Sequence, residues 1–180
     1  IGDRVGAGGA FANSGSWLTT GALSLRTGGE VVNNGSIRSV GGVEILATGG
    51  VDNSGLVYSK QGIDFSGASG FINSGDILAE GILRLASTAG RFTSTGTLHT
   101  NGNFFLSGHQ GVAFSGTIQA GGAMTVDAKS GGFISDAEIL ALGNLTLEAF
   151  SDISIANSLQ VGGAAYLTGG KNVENKGSFY

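Results

Sequence analysis

Three ionisable side chains, Glu44, Asp64 and Arg84, stand at equal intervals of 20 residues. Two carboxylates beside an arginine can form the acid/base pair of glycoside hydrolysis, provided the fold holds them side by side. They then describe a carbohydrate-active enzyme acting on a polysaccharide. The competing reading is a solvated ladder in which Arg84 offsets the charge of Asp64. No third acid or histidine shares their spacing, and no long insertion is available to wall a cleft. The ladder is therefore the reading adopted, and no catalytic residue is assigned. His99 and His109 are separated by ten residues, which the repeat described below puts on different sides of the chain, so a shared metal is not expected.

Other chemical signatures fail on their context. The chain has no cysteine, hence no disulfide framework and no thiolate zinc site. Gly6-Ala7-Gly8-Gly9 does not open a helix, so it is no phosphate loop. Gly49-Gly50-Val51-Asp52 lacks the spacing of the calcium-binding nonapeptide. Asn34-Gly35-Ser36 and Asn144-Leu145-Thr146 match the glycosylation sequon, a short pattern that carries no function by itself. A net charge of -4 argues against nucleic acid, which calls for a basic stripe. No apolar run is long enough for a membrane span. No cofactor is expected.

The elements that must position these residues emerge from the glycines, 35 in 180 residues, nearly three times the usual share. Gly15, Gly35, Gly55, Gly75, Gly96 and Gly116 recur every 20 or 21 residues, and the series runs on through Ala137 and Asn157 to Gly177. Fixed offsets from this anchor are apolar throughout. Two residues on lie Trp17, Ile37, Val57, Ile77, Leu98, Ile118, Ile139, Leu159 and Phe179. Eight and ten residues on, Leu23 and Leu25 begin two further columns, and four before the anchor Phe11 begins another. Within each cluster apolar and mixed residues alternate, which is the period of a strand. Glycine at the anchor is expected to serve a left-handed turn conformation. A second glycine column, Gly21, Gly41, Gly81, Gly102, Gly122, Gly143 and Gly163, is broken only at Gln61. Both one-residue insertions fall at one corner, in Ser87–Arg91 and Ala128–Gly132, where they leave the strands in register.

Each repeat thus holds three short strands and cannot bury its apolar face alone, whereas stacked coils can. The fold expected is all-β: a right-handed parallel β-helix of eight to nine coils of about 20 residues. At one strand spacing per coil the rod is roughly 40 Å long. Residues 1–180 form a single segment, expected to be an excerpt of a longer solenoid because no polar cap is visible at either end. Proline is absent because nearly every strand is central and must donate to its neighbour. Asn13, Asn33, Asn53, Asn73 and Asn175 form a column two before the anchor, interrupted by Ser94, Phe114, Ser135 and Ile155. It is expected to brace the turns by amide hydrogen bonds between coils.

Val31-Val32-Asn33-Asn34-Gly35-Ser36-Ile37, Val51-Asp52-Asn53-Ser54-Gly55 and Phe71-Ile72-Asn73-Ser74-Gly75-Asp76-Ile77 resemble the N-x-G-x-I half of filamentous haemagglutinin repeats. Gly143-Asn144-Leu145-Thr146-Leu147-Glu148-Ala149 and Gly62-Ile63-Asp64-Phe65-Ser66 resemble the G-D-L-x-L-x-A half. The resemblance covers essentially the whole chain, with departures at Phe114, Ala137 and Asn157. It implies two-partner-secreted adhesins or the stalks of contact-dependent inhibition toxins. Export through an outer-membrane partner pore and a place on the bacterial surface follow from it, and it defines no catalytic residue.

The function read from the sequence is accordingly a structural, adhesive fibre segment that presents distal regions to a surface receptor or glycan. One outward row, Leu18, Arg38, Tyr58 and Leu78, is unusually apolar and aromatic, and is the candidate contact surface. An ice-binding solenoid would need continuous Thr-x-Thr columns, and there are none.

Overall fold

The computed structural model describes residues 3–180. Within them the chain winds as a parallel β-solenoid with three strands per coil and no helix. Strands equivalent to Leu23–Thr27 stack into a nine-stranded sheet, here sheet I. Strands equivalent to Val31–Asn33 form the nine-stranded sheet II, and those equivalent to Ser36–Ser39 the eight-stranded sheet III. Ile63 pairs with Val43 on one side and Leu83 on the other, so the register equals the repeat length.

The apolar columns meet inside. Leu25, Ile45, Phe65, Leu85, Leu106, Val126 and Leu147 of sheet I are all buried, as are Val31, Val51, Phe71, Phe92, Val112, Phe133 and Ile153 of sheet II. Only the outermost coils depart: Phe11 and Trp17 are partly buried, and Val173 and Phe179 are exposed. An aromatic spine runs up the core. Ring centroids lie 4.9 Å apart for Phe65 and Phe71, 4.8 Å for Phe71 and Phe92, and 5.9 Å for Phe92 and Phe114. Such pairs contribute about 0.5–1.5 kcal/mol each beyond the area they bury.

The asparagine ladder forms. Nδ2 of Asn13, Asn33 and Asn53 each donates to Oδ1 of the next asparagine at 2.7 Å, and Asn73 donates to Ser94 Oγ at 3.1 Å. Asn33 and Asn53 are fully buried, so these bonds satisfy groups that water cannot reach. Where the ladder stops, Phe114 enters the core between Phe92 and Phe133, and apolar packing replaces the amides. Both insertions lie at the corner between sheets I and II, in Thr88–Arg91 and Lys129–Gly132, and the strands beyond them stay paired.

The anchor glycines depart from expectation. Among the described residues positive φ occurs only at Gly70 and Gly111, and neither is an anchor. The anchors are glycine because the turns stack backbone on backbone. A Cβ on Gly75 would overlap the carbonyl oxygen of Gly55, and one on Gly96 the carbonyl oxygen of Gly75. The backbone amides of Ser74 and Gly75 both donate to Asn53 O, at 2.8 and 3.0 Å, which holds the coils this close. At the exception, the Ala137 amide donates instead to Ser135 Oγ at 3.2 Å. Gly75→Ala should therefore cost about 1–3 kcal/mol, as an overpacked site does. Gly42→Ala, whose Cβ meets nothing closer than Gly62 O at 3.6 Å, should stay within about 1 kcal/mol of wild type. Urea melts of the two variants check the contrast; equal losses would place the strain elsewhere.

Candidate functional site

Sheet I turns one of every two side chains outward, so a residue at a fixed offset faces its equivalent one strand spacing away, about 4.8 Å. Ser24 pairs with Glu44, Glu44 with Asp64, Asp64 with Arg84, and Arg84 with Phe105. The row expected from the sequence is thus built. Its charges are arranged differently from the expected offset of Asp64 by Arg84.

Glu44 is held from two sides. Ser24 Oγ donates to its Oε2 at 2.7 Å, and Arg26 Nη2 donates to its Oε1 at 2.9 Å. The Arg84 guanidinium lies over the ring of Phe105, 5.2 Å from its centroid. Asp64, short and exposed, takes no cation within ion-pair distance among the described residues. A flat ring one coil away offers the long arginine side chain a broad face, and a cation over it gains about 0.5–1 kcal/mol at an exposed site.

Beside this row runs a shallow open groove of about 540 Å³, lined by Glu44, Asp64, Arg84, Gln61, Ser24 and Ile82 among others. Sequence reasoning missed it. The signal was Gln61, the one break in the second glycine column, which puts an exposed amide at the groove where other coils have no side chain. Nothing on this face encloses the carboxylates. Glu44 is half-exposed and Asp64 exposed, so neither is placed in the water-excluded setting that acid/base catalysis uses.

The other candidates are dispersed. His99 lies on sheet III, its ring nitrogens 3.3 Å from Gln119 Oε1 and 3.1 Å from Asn101 Oδ1, while His109 is exposed at a corner beyond sheet I. No cluster of metal-ligating side chains occurs among the described residues. Leu18, Arg38, Tyr58 and Leu78 do stand in one row on sheet III. Leu18 is 69% exposed, and Tyr58 and Leu78 are half-buried. The Tyr58 hydroxyl donates to the Glu80 carboxylate, which raises the pKa of the phenol above its usual value. Near the last coils, hydrogen bonds from Ser151 and Asn172 hold the Asp152 carboxyl below the usual range and tie two corners together.

The sequence was also compared with known proteins. A family model described as Haemagglutinin repeat matches three overlapping stretches, residues 3–55, 47–102 and 86–149. No curated protein and no solved structure shows significant similarity to the chain.

Proposed function

The chain belongs to the haemagglutinin repeat family, and from that premise we propose that it is a structural, non-enzymatic segment of a secreted bacterial adhesin fibre or toxin-delivery stalk. Its work is to space and present distal binding regions away from the cell surface. The observation that carries this reading is the division of labour among the columns. Every strict column is inward or in a turn, while the outward rows change character from coil to coil. Such a chain repeats what stacking requires and varies what it shows to solvent, as a spacer does.

Export through an outer-membrane partner pore suits the fold. Each coil pairs only with its immediate neighbours, so a chain that emerges in an extended state can add coils one at a time. The row Leu18, Arg38, Tyr58 and Leu78 gives the segment weak contacts with a receptor or a neighbouring fibre, and many such contacts along one fibre raise avidity. The carbohydrate-active alternative through Glu44, Asp64 and Arg84 has less support: Arg26 and Ser24 occupy Glu44, and Phe105 occupies Arg84.

Antibodies raised against the purified chain should label intact cells of the producing bacterium. Removal of the partner pore should abolish that labelling. Labelling that appears only after lysis would overturn the reading.

A further inference from the structure

From the outer face of sheet I we infer that this segment itself carries a binding lane for a neutral, extended polysaccharide. The inference goes beyond the spacer role and does not depend on it. Three grooves meet on this face. One shares Ser24 and Glu44 with the groove at Gln61, and another shares Asp64 and Arg84 with it and runs past Phe105 to Thr125. Together they follow the solenoid axis from Arg4 to Thr125, seven coils, which is about 29 Å at one strand spacing per coil.

The chemistry of the lane is that of a sugar site. The free carboxylate of Asp64 accepts hydrogen bonds from hydroxyls, the Gln61 amide both donates and accepts, and Arg84 donates. Phe105, one ring face of which lies under the Arg84 guanidinium, lines the same groove, and the surface it leaves exposed adds an apolar wall of the kind against which pyranose C–H groups pack. Gln61 departs from the glycines of its column, and it does so in the coil that carries Asp64. A ladder that presents one polar side chain per strand spacing suits a polymer that repeats its hydroxyls at a similar interval.

Other occupants fit less well. Arg4, Arg26 and Arg84 are interleaved with Glu44 and Asp64 along the lane, so neither a polyanion nor a polycation meets a face of uniform opposite charge. A protein partner wants an apolar core within its interface, and the only large apolar side chains exposed among the residues lining these grooves are Phe105 and Ile82.

The test is affinity electrophoresis of the purified chain through native gels that contain a neutral glucan, mannan or galactan, or heparin as the charged comparison. At least one neutral polysaccharide should retard the wild type, and heparin should not. Phe105→Ala and Asp64→Ala should each weaken retardation roughly threefold to tenfold. Leu18→Ser, on sheet III, should leave it unchanged. Thermal melts of each variant separate lost binding from lost fold. The lane is refuted if no neutral polysaccharide retards the chain, if heparin alone does, or if Leu18→Ser weakens retardation as much as Phe105→Ala. The assay reads the purified chain alone, so its failure leaves the surface-labelling result standing, and the reverse also holds.

Discussion

Leu85→Asp should lower stability by several kcal/mol, while Asp64→Asn on the neighbouring coil should stay within about 0.5 kcal/mol of wild type. The two positions lie one coil apart in the same sheet and differ in the direction of the side chain. Leu85 is 2% exposed, and its ladder neighbours are Phe65 and Leu106, which offer a carboxylate no hydrogen bond. Asp64 already faces water. A carboxylate forced into the core has its pKa raised by desolvation, so the penalty is full at neutral pH and shrinks as acidification protonates it. Denaturant melts at neutral and acidic pH should therefore show the Leu85→Asp deficit narrowing with acid. Equal effects of the two substitutions would mean that the strand faces are assigned the wrong way round.

That assignment was legible because a solenoid writes its register into the chain. Ile37, Val57 and Ile77 repeat at the coil length, and their alternation with Arg38, Tyr58 and Leu78 separates inside from outside without reference to distant contacts. The asparagine ladder was legible for the same reason, since equal spacing becomes vertical stacking. What spacing alone could not convey was closeness of approach. Gly75 lies against the carbonyl of Gly55, a distance between coils, and composition suggests backbone freedom just as readily. The outer face was legible as a row and illegible as a site. Register brings Asp64 beside Arg84, but side-chain length and the ring of Phe105 decide where the guanidinium goes. Glu44 found its cation in Arg26, which the ladder pairs with Leu46 and which reaches Glu44 only across a diagonal. The groove at Gln61 depends on a missing glycine, and a column search that rewards matches passes over such a break.

Removing residues 56–75, one whole coil, should leave a cooperative β-solenoid, whereas removing residues 66–75 should abolish folding. After the longer deletion Gly55 is followed by Asp76, which takes the place of Leu56 beside Ser36, and Ile77 takes the place of Val57 beside Ile37. The ladder then passes from Asn53 directly to Ser94, whose hydroxyl already accepts a hydrogen bond from Asn73. Every inward column stays inward and the rod shortens by one strand spacing, about 4.8 Å. The melting temperature should fall by less than about 10 °C, since only one set of neighbour contacts is lost. The shorter deletion removes half as much chain and does more harm. Ile77 moves into the position of Gly67, in an inward column that holds Ala47 and Ser87. Gly81 moves to the position of Phe71 and leaves a void in the aromatic spine, and Leu83 to that of Asn73, which strands the buried amide of Asn53. Overpacking, cavity and an unsatisfied amide each cost on the order of 1–5 kcal/mol, and together they exceed what a domain of this size holds in reserve. Far-UV circular dichroism and sedimentation should show a monomeric β-rich species for the first variant and aggregate for the second. Equal tolerance of both deletions would mean that the coil is not the unit of stability.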